Sequence, residues 1–217
     1  FDWIRRGQTD VALAGGAEAV ISLLGIGGFA AMRALSTRNE SSETASRPFD
    51  RDRDGFVMGE GAAMLVLEDF ERARARGAKI YAEIAGYAET CDGASLIRPT
   101  QNGDGAYRTM KLAMEDGKIP LDCLDYINAH GTSTQTGDIE EARAIARLLG
   151  PLCPQVHVAS TKSMTGHLIG AAGALEAMLT VLSIRDRVIP PTMNIQHLDP
   201  ACQELGIQFG HAQTTEK

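Results

Sequence analysis

Short apolar runs alternate with amphipathic stretches along the whole chain. The apolar runs predict strands at residues 10–16, 62–68, 78–89, 124–131 and 156–161. Apolar residues at helical spacing, bounded by capping and stop signals, predict helices at residues 69–77, 104–117 and 138–150, and from 167 to about 187. Because strands and helices alternate, we expect an α/β fold with a layered sheet, in which the runs at 10–16 and 62–68 are fully buried strands.

The predicted helix at residues 138–150 has clear signals at both ends. Asp138 and Glu141 have the spacing of a capping box, and Gly150 followed by Pro151 provides a stop. The first residues, FDWIRRG, are typical of the last turn of a helix closed by Gly7, so we expect the chain to be a fragment of a longer protein.

The segment STKSMTGHLIGAAGALEA, residues 160–177, combines closely packing small residues with three ionisable ones. His167 begins the predicted helix, where the macrodipole disfavours the imidazolium and keeps the ring neutral. The positive charge of Lys162 acts in the same direction. Glu176 is nine residues from His167, which on a continuous helix places it on the opposite side. We therefore predict that Glu176 has a supporting role, paired with a cation or bonded by backbone amides.

Composition and charge narrow the function classes. The 217 residues are 44% hydrophobic, enough for a substantial core, and no apolar run is long enough to cross a membrane. A net charge of −7 argues against nucleic acid as a partner. The four cysteines form no CxxC pair, which indicates neither a zinc site nor a disulfide framework. A cytoplasmic enzyme is the simplest expectation.

The segment NAHGTSTQTGD, residues 128–138, is the strongest chemical signal. His130 comes at the end of a predicted strand and is followed by glycine and hydroxyl residues, where α/β sheets open their ligand crevices. Alone, His130 fits a structural histidine equally well. Because His167 also follows a strand and a short turn, the two imidazoles together could bind a developing oxyanion.

The segment DRDRDGFVMGEG, residues 50–61, partly matches a calcium-binding EF-hand loop. Asp50, Asp52 and Asp54 have the required spacing, but Gly61 occupies the position of the bidentate carboxylate. We therefore interpret this segment as a structural turn with internal salt bridges, and we expect no metal site.

Four segments together resemble the β-ketoacyl-[acyl-carrier-protein] synthases of fatty acid synthesis. They are NAHGTSTQTGD, STKSMTGHLIGAAGALEA, RPFDRDRDGFVMGEGAAMLVLE and RGAKIYAEIAGYAE, and they occur in the order and spacing of that family. The resemblance runs from about residue 1 to 209. It implies a layered thiolase-like fold, mostly the C-terminal half, truncated at both ends. Residues 1–217 would then be a partial synthase domain, the end of the N-terminal half plus most of the C-terminal half.

The resemblance also implies roles for individual residues. His130 and His167 match the histidine pair that stabilises the malonyl thioester oxygen as the enolate forms. Lys162 matches the lysine that orders this centre, and Glu176 matches the glutamate beneath it. Thr132 and Thr134 match hydroxyls beside the phosphopantetheine arm, although turn bonding alone also explains them.

Cofactor and partner expectations follow from the same resemblance. No cofactor is expected, because the substrates are carried on the phosphopantetheine of an acyl carrier protein. A homodimer is expected for the full-length protein. Because carrier proteins are acidic, a basic docking residue is needed, and Arg33 is the candidate; its alternative is an ordinary solvated helix charge.

Two departures from the family pattern leave alternatives open. The family's nucleophilic cysteine precedes RRGQTDVALAGGAEA, and none of the four cysteines here has a matching context, so this chain is expected to be inactive alone. Ser95, Leu96 and Ile97 replace the usual His-Met-Thr, which leaves the chain-length preference open. The alternatives are a catalytically silent partner, like the chain-length factors, and a thiolase-like degradative enzyme. The retained histidines and lysine disfavour the first, and the segment at residues 165–177 does not resemble the second.

Overall fold

The computed structural model describes residues 1–95, 97–210 and 213–214, and these form helices and strands in alternation. The helices are α1 (Asp2–Arg5), α2 (Leu23–Ala31), α3 (Phe70–Ala75), α4 (Asp104–Gly117), α5 (Gln135–Leu149), α6 (Lys162–Thr165), α7 (Ala172–Asp186) and α8 (Pro200–Gln203). The strands are β1 (Val11–Glu18), β2 (Gly61–Glu68), β3 (Tyr126–Asn128), β4 (His157–Ala159), β5 (Val188–Ile189), β6 (Gln208–Phe209) and β7 (Gln213–Thr214). The predicted α/β class is confirmed.

A parallel sheet in the order β3-β4-β6 determines where the polar segments meet. In its register Tyr126 pairs with His157 and Asn128 pairs with Ala159, so β3 and β4 end side by side. Because parallel strands direct their carboxyl ends to one edge, the segments that follow β3 and β4 emerge together. The other two pairs, β1 with β2 and β5 with β7, are antiparallel.

The antiparallel ribbon of β1 and β2 corrects the prediction of two fully buried strands. Exposed and half-buried residues alternate strictly along β1, and Leu13 and Val66 are 71% and 68% exposed. Among the described residues, α7 and the 3-10 turn at Ile169–Ala171 pack against this ribbon. The inward positions are small or aliphatic, such as Ala14 and Ala63, which allows the helix to approach closely.

Two predicted boundaries are wrong because tertiary contacts overrode local signals. The helix predicted from residue 167 begins at Ala172, since His167 forms a parallel bridge with Met58 and a 3-10 turn follows it. The helix predicted from residue 138 begins at Gln135, so Asp138 and Glu141 lie within it. The capping box is therefore wrong, and these two carboxylates bind backbone amides of other segments instead.

The strand predicted at residues 78–89 is not formed within the described part of the chain. Exposed and half-buried residues alternate at residues 81–83 and 85–89, and the exposed Ile84 interrupts the pattern. A strand requires a hydrogen-bonded neighbour, and no described segment pairs with these residues. The predicted strand is therefore wrong, because among the described residues the pairing that defines a strand is absent.

The main hydrophobic core lies between α5 and the parallel sheet. Ile145 and Leu149 of α5 pack with Val158 of β4, and all three are fully buried. Phe49 enters from the loop before β2 and stacks on Phe209 at 4.3 Å between ring centroids. Burying each of these side chains contributes about 2 kcal/mol, so the core firmly anchors the sheet edge that carries the polar loops.

Within the residues that the structure describes, no helix is both long and apolar enough to cross a membrane.

Candidate active site

The two predicted histidines meet at the edge of the parallel sheet. His130 follows β3, and His167 lies after α6, the short helix that follows β4. Their ring centroids are 5.2 Å apart and the rings are nearly perpendicular, at 88°. Phe56, which sequence reasoning missed, packs edge-on against His167 at 5.2 Å. The two imidazoles, with the Phe56 ring packed against one of them, therefore form the centre of the site.

The backbone around His167 fixes both its position and its tautomer. Its N–H donates to the Val57 carbonyl at 2.7 Å, and its carbonyl accepts from Gly59 N–H at 3.0 Å. The N–H of Ile169 donates to His167 Nδ1 at 3.2 Å. In a neutral imidazole whose Nδ1 accepts, Nε2 carries the hydrogen. The free nitrogen of His167 is therefore a hydrogen-bond donor.

Ile169 adopts a backbone conformation that a β-branched residue rarely takes. Its φ is +44°, in the left-handed region, which costs about 1–3 kcal/mol and persists only where surrounding contacts impose it. This strained conformation directs the Ile169 N–H toward His167. No local sequence signal marked this donor, because it is a backbone group.

The loop that carries His130 is held by Glu141 and by Ser160. The two carboxylate oxygens of Glu141 accept from the N–H groups of His130 and Gly131, both at 2.7 Å. The Ser160 hydroxyl donates to the Gly131 carbonyl at 2.7 Å. Gly131 has φ +35°, and a Cβ there would lie 2.5 Å from Ser160 Cβ, so only glycine fits. Glu141 thus belongs to the site, whereas its spacing from Asp138 had predicted a helix cap.

The surroundings keep both histidines neutral. Burial lowers the pKa of His167 to about 4, and the neighbouring His130 and Lys162 act in the same direction. Packing around the ring also lowers the pKa of His130 to about 4, with a further contribution from Lys162. Part of His130 faces solvent, and burial and the Lys162 charge both lower its pKa. The expected helix-dipole effect on His167 is wrong, because His167 precedes α7 by five residues.

These lowered pKa values predict a pH dependence of stability. From about pH 6.5 down to about pH 4 the unfolded chain takes up protons at His130 and His167, whereas the folded chain does not. The stabilisation is therefore complete above pH 6.5 and is lost as the pH falls toward 4. Urea unfolding at about pH 7 and about pH 5 should show a smaller loss of stability in a His130→Gln/His167→Gln variant than in wild type. Equal losses in the two proteins would contradict these pKa assignments.

Behind the histidines lies a buried ion pair. Lys162 is 1% exposed, and its Nζ contacts Glu176 Oε1 directly. Glu176 projects from α7, which does not include His167, so the predicted placement of the two residues on opposite sides of one continuous helix is wrong. Burial raises the pKa of the Glu176 carboxyl, and the Lys162 ammonium opposes that rise. The Lys162 ammonium of this pair is the positive charge that lowers the pKa of both histidines.

The remaining predicted site residues are the two threonines after His130, Arg33, and the position that replaces His-Met-Thr. Thr132 and Thr134 follow His130 directly, and their hydroxyl oxygens are 3.0 Å apart. Arg33 is exposed just beyond the end of α2, with φ +56°. Leu96 lies outside the described residues, so the replaced His-Met-Thr position is described only at Ser95 and Ile97, both exposed.

The aspartates of the calcium-like segment bind protein donors. Asp50 accepts from the backbone N–H groups of Asp52, Gln196 and His197, each at 2.8 Å, and pairs with Arg47. These contacts lower the pKa of the Asp50 carboxyl against the effect of its burial. Within the described part of the chain, no group of three candidate ligands converges on a metal position. The segment is a structural turn.

Solved structures identify the class of fold. A β-ketoacyl synthase from Burkholderia phymatum STM815 has a TM-score of 0.92 and 43% identity, over 100% of this chain and 52% of that chain. A type II PKS acyl-carrier protein in complex with its ketosynthase gives a TM-score of 0.92 and 40% identity, over 96% of this chain and 50% of that one. The fold is the layered, thiolase-like α/β fold of ketosynthases.

The family follows from sequence comparison. Residues 81–196 match the C-terminal domain of β-ketoacyl synthases, and residues 1–73 match the N-terminal domain. The chain belongs to the β-ketoacyl synthase family.

Curated relatives carry a common name. The 3-oxoacyl-[acyl-carrier-protein] synthase 2 of Vibrio cholerae is 50% identical, over 95% of this chain and 49% of its own length. The protein of that name from Synechocystis is 49% identical, over 93% of this chain and 49% of its own length. The chain therefore spans about half the length of the curated relatives it matches.

Proposed function

We propose that this chain is part of a β-ketoacyl-[acyl-carrier-protein] synthase that elongates fatty acyl chains by decarboxylative Claisen condensation. The observation that carries the proposal is the neutral pair His130 and His167, with rings 5.2 Å apart above the buried Lys162–Glu176 pair. The names of the most similar curated relatives support the reaction class and the pathway.

The chemistry follows from where charge develops. When malonyl thioester loses CO₂, the electrons of the broken carbon–carbon bond move into the thioester, and its carbonyl oxygen becomes an enolate oxygen. Nε2–H of His167 would donate to that oxygen, and the His130 ring would supply the second donor. The enolate carbon then attacks an acyl thioester on a cysteine, and the cysteine thiolate leaves as the new carbon–carbon bond forms.

The nucleophilic cysteine of this reaction is proposed to lie in a segment before residue 1. Among the cysteines present, Cys153 and Cys202 are buried, and burial raises the pKa of Cys202 to about 12. A nucleophilic thiol needs a lowered pKa, so these two are poor candidates. Cys91 and Cys123 are exposed and lie outside the histidine site. This chain alone is therefore proposed to be inactive in condensation.

An acyl carrier protein is the proposed partner, delivering both thioesters on phosphopantetheine, and no cofactor of the enzyme's own is required. One of the similar solved structures is a ketosynthase in complex with such a carrier. Arg33, exposed beyond α2, is the proposed docking contact for this acidic partner. Thr132 and Thr134 are proposed to contact the pantetheine arm, and the full-length protein to act as a cytoplasmic homodimer.

The direct test is decarboxylation without condensation. The full-length protein, with its nucleophilic cysteine replaced by glutamine, should still release CO₂ from malonyl carrier protein, because the histidine site is intact. Mass spectrometry of the carrier would detect the acetyl product. If neither the wild-type protein nor the cysteine-to-glutamine variant decarboxylates malonyl carrier protein, the proposed function is overturned.

A silent partner subunit is the second candidate, since a ketosynthase/chain length factor structure has a TM-score of 0.87 at 39% identity, over 99% of this chain and 50% of that one. Retention of His130, Lys162 and His167 in one connected site disfavours it. Glutamine or alanine at the natural nucleophile position of the parent protein would favour it.

A further inference from the structure

The turn formed by residues 46–55 wraps around the loop that follows His130. The Arg47 N–H donates to the Ser133 hydroxyl oxygen, and the Gly55 N–H donates to the Ser133 carbonyl, both at 3.0 Å. Ser133 is fully buried and has φ +71°. The calcium-like segment, which the reaction itself leaves unused, is thus built against the loop that carries Thr132 and Thr134.

Arg53 is the centre of this contact. Its guanidinium donates to the Thr134 carbonyl at 2.9 Å and to the Gln135 carbonyl at 2.6 Å. It also donates to the Asp50 carbonyl and to Asp199 Oδ2, each at 2.7 Å. Only 3% of Arg53 is exposed. The planar guanidinium has donors in several directions and so joins its own turn, the loop after His130 and the segment of Asp199. A lysine ammonium cannot reproduce this set of contacts.

The two ends of the His130 loop are held by different groups. Glu141 and Ser160 bind the backbone of His130 and Gly131, whereas Arg53 binds the backbone at Thr134. The Arg53 contacts therefore act on the hydroxyl-bearing end and leave the histidine end to other groups.

The Thr134 hydroxyl has little freedom on its other side. A Cβ at Gly137 would lie 2.4 Å from Thr134 Oγ1, so this hydroxyl packs directly against the first turn of α5. With its carbonyl bound by Arg53 and its hydroxyl against α5, Thr134 is confined from two directions.

We propose that Arg53 is a positioning residue for the carrier arm: it orients the hydroxyls of Thr132 and Thr134 toward phosphopantetheine without acting on the histidine pair. This inference rests on the proposed function. It assigns to the arginine turn a role in substrate binding rather than in decarboxylation.

Arg53→Lys tests this assignment when it is introduced into the full-length protein whose nucleophilic cysteine is replaced by glutamine. Two malonyl thioesters are compared, one on the carrier protein and one on ethanethiol, which has no amide for the threonines to bind. The KM for malonyl carrier protein should rise about tenfold, because a small displacement of binding groups is costly. The kcat/KM for the ethyl thioester should stay within about twofold, because its reaction uses only the histidine end. The control is Arg51→Lys, an exposed arginine of the same turn, and it should alter neither value.

The outcomes separate the two proposals. Equal losses on both thioesters, in proportion to the folded fraction, would show that Arg53 is only structural. Should Arg53→Lys fail to fold, Asp199→Asn weakens one Arg53 contact while its Oδ1 still caps Ala201, and it should give a smaller shift in the same KM. An unchanged KM in that variant would also overturn the assignment. Failure of the protein with Arg53 intact to decarboxylate either thioester would instead contradict the proposed function.

Discussion

Replacing His130 and His167 together with alanine is expected to abolish nearly all decarboxylation of malonyl carrier protein by the full-length protein. Removing one preorganised donor to a developing oxyanion typically costs about 10²–10³ in rate, so loss of both should cost at least about 10³. The two rings share one substrate oxygen, so the single variants should not be additive. CO₂ release measured at saturating malonyl carrier protein gives the result directly.

His197→Ala is the matched control for the double variant. His197 is exposed, and the contacts described for it use its backbone, so removing its ring leaves the site unchanged. Its rate should equal that of wild type. If the double variant is folded and decarboxylates within about tenfold of wild type, the histidines do not stabilise the enolate.

Replacing Lys162 with methionine is expected to have the largest effect on stability. The change leaves Glu176 buried without its cation, and breaking such a pair costs about 3 kcal/mol or more. Urea unfolding at neutral pH measures this loss. Because the Lys162 charge lowers the pKa of both histidines, the variant should also lose activity at a higher pH than wild type as the solution is acidified.

A second substitution distinguishes the cost of the unpaired Glu176 charge from the cost of lost packing around Lys162. Glu176→Gln in the Lys162→Met background removes the uncompensated charge, so the double variant should be more stable than Lys162→Met alone. Lys111→Met is the control, since Lys111 pairs with Glu115 on the exposed surface of α4 and should contribute less than about 0.5 kcal/mol. A Lys162→Met loss no larger than the Lys111→Met loss would show that the buried pair is unimportant.

Local sequence signals were sufficient where one segment determines its own structure. The helix at Asp104–Gly117 was predicted with its observed bounds, because its apolar spacing and flanking glycines act within one helix. Placing His130 and His167 after the ends of two strands also needed only the order of elements along the chain, whereas the pairing of those strands came from the structure. The strand predicted at residues 78–89 shows the limit, since pairing depends on a second segment.

The sequence by itself determined the α/β class, the family and four residues of the site, namely His130, Lys162, His167 and Glu176, because apolar periodicity and long motifs are local properties. The tertiary structure alone decided how those residues are used. Glu141 binds the amides of His130 and Gly131 instead of capping its own helix. His167 is neutral through burial and the nearby Lys162 charge, and its tautomer is set by the N–H of Ile169. Apart from the local Ile169 contact, these hydrogen bonds and this burial join segments that are separated along the chain, and only folding brings those segments together.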